Sequence, residues 1–259
     1  MNRYKSLAVL LCAALVSACD KNAVQDITGV APAARIKFFN FGVNAPGVNF
    51  YANDTKMTAI NSATGAEAVT GTVYGGVGAG SFYSAIAPGQ YALTGKIAAA
   101  IDKDLAIAAV TATIADGKHY SYYLSGFYNT ATKSVEGFVV EDPFVPAIDY
   151  TVAYVRFVNA ISNSNSMTLY AKNTTSLVEV PVGAAVAYKA AGAFTALPNG
   201  VYDIGARVAG SATNAVGRTL VSFSAGKVYT IGARGDITIN PVTSPTAVNR
   251  PFLDNTANR

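Results

Sequence analysis

One histidine, two cysteines and no tryptophan occur among 259 residues, and only 13% of the chain is charged. The charged share is about half of what soluble domains usually carry, whereas the 51% hydrophobic content is ordinary and argues against a long disordered coil. A lone His119 excludes chemistry that needs two imidazoles, including His-rich metal sites and HExxH metalloproteases. No GxSxG elbow is present, so nucleophilic catalysis has no visible agent. Net charge is +4, but Arg3 and Lys5 supply two of those charges at the extreme amino terminus. No basic stripe remains, and no nucleic acid is expected as a partner. The length exceeds that of one typical domain, so two are expected.

Residues 1–19 read MNRYKSLAVLLCAALVSAC. A basic start, an apolar run from Leu7 to Val16 and the small pair Ser17-Ala18 follow one another as in a secretory signal peptide. As a helix the apolar run reaches about 15 Å, half of a bilayer's hydrocarbon core, so it does not span. Val16-Ser17-Ala18-Cys19 resembles the lipobox of bacterial lipoproteins. That resemblance implies cleavage before Cys19, a diacylglycerol on its thiol and a fatty acid on the new amino group. Two or three chains hold a protein to a membrane where one chain anchors only marginally. Cys12 is lost on cleavage, which leaves one cysteine, already acylated, and no internal disulfide. Residues 1–18 are thus expected to be a signal peptide and residues 19–33 a lipidated tether without periodicity.

The rest of the chain repeats itself. Ile36-Lys37-Phe38-Phe39-Asn40 aligns with Val155-Arg156-Phe157-Val158-Asn159, and Phe50-Tyr51-Ala52 with Leu169-Tyr170-Ala171. Further on, Gly89-Gln90-Tyr91 aligns with Gly200-Val201-Tyr202, and Gly117-Lys118-His119-Tyr120 with Gly226-Lys227-Val228-Tyr229. The offset shrinks along the chain, so the second copy has the shorter loops. Within each copy apolar residues alternate, as in Tyr202, Ile204, Ala206 and Val208, or Tyr120, Tyr122 and Leu124. Turn signals such as Asn44-Ala45-Pro46-Gly47, Asp116-Gly117 and Pro198-Asn199-Gly200 separate these runs. Only the Ala-rich stretch from Ile97 to Val110 admits a short helix. The pattern implies an all-β chain of two tandem β-sandwich domains, at 34–147 and 150–241, joined through Asp142-Pro143-Phe144-Val145-Pro146. Residues 242–259 are polar and turn-rich and are expected to be a flexible tail.

Residues 36–51 (IKFFNFGVNAPGVNFY) and the Pro-x-Gly-x-Tyr steps that end at Tyr91 and Tyr202 resemble the domain-of-unknown-function 4397 family. The resemblance covers nearly all of residues 34–240. It implies immunoglobulin-like sandwiches in tandem on secreted or surface-anchored bacterial proteins, with no catalytic residues to carry over.

Candidate sites are few. Tyr91 and Tyr202 stand where a tyrosine corner would bond the backbone. Gly75-Gly76-Val77-Gly78-Ala79-Gly80 lacks phosphate-loop spacing and reads as a flexible strand connection. His119 has Val228 as its counterpart and no partner that would orient it as a base. Asp102 and Asp104 read as a polar turn, with no metal site expected. Asp149 and Glu141-Asp142 fall in the linker as solvated charge. Binding potential is concentrated in the first copy's aromatics, with Tyr83 and Tyr123 as the candidate contact residues, because a tyrosine offers contact area and a hydroxyl at low entropic cost. These features imply a non-enzymatic lipoprotein of the bacterial cell envelope, facing the periplasm or the cell surface. The lipid on Cys19 anchors it to the membrane, and it needs no cofactor beyond that lipid. It would serve as a binding or structural module for an envelope protein or glycan. The alternative is an envelope carbohydrate hydrolase or metal-dependent enzyme built from carboxylates distant in sequence.

Overall fold

Alternating apolar residues with turn residues between them leave strands as the only way to bury this chain, and strands are what form. The computed structural model describes residues 33–58 and 69–259. The expected signal peptide, Cys19 and nearly all of the expected tether lie outside the described residues. The first copy contains β1 (Arg35–Asn40), β2 (Val48–Ala52), β3 (Thr55–Lys56), β4 (Gly76–Val77), β5 (Ser84–Ala85), β6 (Gly89–Ile97), β7 (Ala106–Ile114), β8 (His119–Asn129) and β9 (Ser134–Glu141). The second contains β10 (Val152–Asn159), β11 (Met167–Asn173), β12 (Glu179–Val186), β13 (Ala190–Ala191), β14 (Thr195–Pro198), β15 (Gly200–Val208), β16 (Val216–Phe223), β17 (Val228–Arg234) and β18 (Phe252–Ala257).

Each copy is a two-sheet sandwich, and the strand order repeats. One sheet runs β4-β1-β8-β9 with β5 also on β1, and its counterpart runs β13-β10-β17-β18 with β14 on β10. The covering sheets run β3-β2-β6-β7 and β12-β11-β15-β16. In both copies the first strand lies parallel to the penultimate one, with Arg35 opposite His119 and Tyr154 opposite Val228. The other pairings between these named strands are antiparallel. The first strand therefore sits between the fourth and the penultimate strands, and not beside the second as in the immunoglobulin constant order.

One expectation is corrected here, and one open alternative is closed. The tail is not free: residues 252–257 form β18, which pairs along its whole length with β17 and buries Leu253 in the second core. The final strand of the first copy follows β8 after a tight turn, whereas residues 235–251 intervene before β18, which carried it beyond the repeat match. The Ala-rich stretch is also strand and turn, because Ala108, Val110 and Ala112 alternate against β6.

Matching residues do matching work in the two copies. Asn40 and Asn159, both fully buried, each end the first strand by accepting a backbone N–H two residues on, from Gly42 and Ile161. Their amides donate to the carbonyls of Thr72 and Val186. Tyr120 and Tyr229 each accept the backbone N–H five residues upstream, at Ala115 (3.2 Å) and Ser224 (3.0 Å). Tyr202 does form a corner, donating to the Pro198 carbonyl at 2.7 Å, while Tyr91 packs half-buried against the first core.

Besides the core of each sandwich a third apolar cluster lies between them, made of Phe39, Phe41, Tyr123, Phe138, Val158 and Ala160. The sheets built on β1 and on β10 meet through their outer faces. Strand β8 is accordingly buried on both sides from Tyr120 to Gly126, and the molecule is four sheets deep.

Candidate functional site

Lys37 and Arg156 occupy the same place in the two copies. On β1 and β10 the residues beside them, Ile36 and Phe38, Val155 and Phe157, point into their own cores, so both cations must point outward. Outward here means into the junction, where both are almost completely buried. A buried charge is tolerated only when paired and hydrogen-bonded.

Arg156 meets that condition fully. Its Nε donates to Thr230 Oγ1 at 3.0 Å, one terminal nitrogen donates to the Glu141 carbonyl at 2.9 Å, and the other pairs with Asp142 Oδ1. The second Asp142 oxygen accepts from Tyr83 Oη at 2.6 Å and Ser121 Oγ at 2.8 Å. Lys37 Nζ donates to the Ala257 carbonyl at 3.0 Å and Asn258 Oδ1 at 3.1 Å, and it stands 4.3 Å from the centre of the Tyr83 ring. Asn258 Nδ2 donates in turn to Thr230 Oγ1 at 2.6 Å. One polar network thus joins β1, β8 and the linker of the first copy to β10, β17 and the chain's last residues.

Burial sets the acid–base character of the network. Loss of water pulls Lys37 down to about 8, the Asp142 charge works against that shift, and Arg156 adds to it. The Tyr83 hydroxyl is pushed far up, first by burial and then by the Asp142 charge. His119 is pushed down, chiefly by burial. Its ring is wedged at 5.2 Å from Tyr83 and 4.8 Å from Phe144.

Above this network lies a groove of about 550 Å³ between the two sandwiches. Phe82 and Tyr83 form one wall, Lys227, Tyr229 and Asn255 contribute to the other, and Lys37 also lines it. Phe82 is 76% exposed, so a large apolar ring stands in water at the rim. Asn255 Oδ1 is buried in the wall without a hydrogen-bond partner. Asp254 also lines the groove, but it is tied to Arg234 Nε at 2.6 Å, and desolvation raises its pKa.

Of the two expected contact residues, Tyr83 lines this groove and Tyr123 does not. Tyr123 is 0% exposed, stacked between Phe39 at 4.3 Å and Phe138 at 5.0 Å, so it is a structural residue of the third core. Asp142 is likewise not solvated linker charge but the buried anion of the network. The Gly-rich stretch is not a free connection either. Gly76 and Val77 pair with β1, and Gly75, at φ +77°, leaves room for the Arg234 guanidinium, which a Cβ would meet at 2.8 Å. Asp102 and Asp104 do sit in a turn, both in the left-handed region, with Lys133 Nζ at 2.6 Å from Asp102. Sequence reasoning counted Phe82 among the first copy's aromatics but favoured the core for it, and it missed Lys37 and Arg156. A basic residue at the same place in two otherwise apolar strand blocks was the available signal.

No family model matches the chain, and no curated protein does. Among solved structures, the Bacillus anthracis TIE protein aligns with 77% of this chain at 13% identity and a TM-score of 0.22. This chain spans 33% of that protein, and the likeness carries no argument about fold or function.

Proposed function

We propose that this protein is a non-enzymatic, lipid-anchored module of the bacterial cell envelope that holds a glycan in the groove between its two sandwiches. The exposed Phe82 ring beside Tyr83 carries the reading. A sugar presents an apolar ring face that stacks on such a shelf, and its hydroxyls suit the ammonium of Lys227. The groove's volume is within the range of small-molecule sites. Its carboxylate is committed to Arg234, and the network carboxylate to Arg156, which supports binding without hydrolysis. The signal peptide, the lipobox-like Val16–Cys19 step and the resemblance to the domain-of-unknown-function 4397 family support the envelope setting.

Titration of the protein with soluble peptidoglycan and envelope-polysaccharide fragments tests the reading. Saturable binding that Phe82→Ala weakens at least tenfold, with the circular dichroism spectrum unchanged, is expected. Binding unaffected by Phe82→Ala, or none at millimolar saccharide, overturns it. For the anchor, Cys19→Ala should abolish labelled fatty-acid incorporation and release the protein from membranes, and unchanged fractionation would contradict it.

A further inference from the structure

The polar network at the joint does not balance its own charges. Lys37 and Arg156 are both buried there, and Asp142 is the carboxylate they share between them. Arg156 holds one oxygen of Asp142, while Tyr83 and Ser121 donate to the other. Lys37 is left with two neutral acceptors, the Ala257 carbonyl and the Asn258 side chain, and makes no ion pair among the described residues. A buried cation without a counter-ion is costly, and low-dielectric walls focus its field into the nearest cleft. That cleft is the groove, because Lys37 lines it beside Phe82 and Tyr83.

The rest of the lining adds to the surplus. Lys227 and Arg259 line the groove as well, both exposed and neither ion-paired among the described residues. Asp254 is the one acidic side chain of the lining, and Arg234 holds it at 2.6 Å, so its charge is already offset. Even with an α-carboxylate at Arg259 counted, the cations exceed the anions. His119, packed against the Tyr83 ring, feels the same field: burial pushes it down, Asp142 opposes, and Arg35 and Arg259 add to the fall. Resting on the reading of this groove as a glycan site, we propose that the glycan is acidic, its carboxylate or phosphate groups held by the surplus charge of Lys37, Lys227 and Arg259 while a sugar face stacks on Phe82. A neutral saccharide would take water away from those cations and return nothing, whereas an anion supplies the counter-ion they lack.

Envelope-polysaccharide fragments, separated by anion exchange into a neutral and an acidic pool and titrated into the full chain, test the assignment. The acidic pool should bind at least about tenfold more tightly, and added salt should weaken its binding alone. Reduction of its carboxyl groups to alcohols, or removal of its phosphate with hydrofluoric acid, tells which anion is read. One treatment, or both together, should bring it down to the affinity of the neutral pool. Lys227→Gln should weaken the acidic pool about fivefold, the size of an exposed charge pair, and leave the neutral pool unchanged, whereas Phe82→Ala weakens both. Equal binding of the two pools, or acidic binding that survives both treatments, overturns the acidic assignment and leaves the glycan reading standing. So does a Lys227→Gln variant that weakens both pools alike. No binding of either pool overturns both readings.

Discussion

The two sandwiches share their inward faces and differ on the faces they turn to each other. At matched places the first copy presents Phe39, Phe41 and Tyr123 where the second presents Val158, Ala160 and Gly232. Gly232 has no side chain because Phe41 occupies the space, and a Cβ there would lie 2.8 Å from the Phe41 ring. Bulk on one face meets small residues on the other, so the joint is complementary only between unlike copies. Two first copies would collide through their aromatics, and two second copies would leave a void. Positions such as Asn40/Asn159 and Tyr120/Tyr229 match between the copies because they do the same work in each, while the outer faces differ and fit as a pair.

The largest effect should come from the charges at the joint. Arg156→Ala strands the buried Asp142 carboxylate and should cost about 3–5 kcal/mol in urea unfolding, whereas Asp142→Leu/Arg156→Met should recover much of it. Gly232→Leu drives a side chain into Phe41, with an expected cost of about 1–3 kcal/mol. Gly217, in the second copy's covering sheet, has only the Ile204 carbonyl near it at 3.4 Å, so Gly217→Ala should cost far less. Asn40→Ala and Asn159→Ala should each cost about 1–2 kcal/mol and by similar amounts, since the two do the same work; a large inequality would break the comparison.

The smallest expected effect is on pH dependence. From about 8 up to the ordinary lysine range the unfolded chain holds the Lys37 proton more firmly than the folded one, so stability rises with pH there. Above about pH 10 the trend reverses, because Tyr83, Tyr122 and Tyr123 have raised pKa values and ionise on unfolding. Lys37→Met should remove the rise and keep the fall.

Much of this architecture was legible from the sequence. Alternation and turn residues mark the strands, and the duplication marks two copies. The joint was not legible, because periodicity says which residues leave a core and not what meets them outside it. Tyr123 alternates with the core residues Tyr122 and Leu124 and so reads as a surface residue, although a third layer covers it. The absence of charge from His119 to Tyr128, apart from His119 itself, was the sign of a strand buried on both faces. Asp142 sits in a Pro-flanked linker that looks solvated, and its partner Arg156 is on a strand of the other copy. Phe82 could not be told from core aromatics, since the short strands around it carry too few residues to show a period.

The central claim is that unlike faces and a buried network make the two sandwiches one cooperative unit. Urea unfolding followed at once by far-ultraviolet circular dichroism and by tyrosine fluorescence tests it most directly. A single transition with coincident midpoints is expected for the wild type, splitting into two when Arg156→Ala loosens the joint. Two separate transitions in the wild type would mean that each sandwich stands alone, and would contradict the account.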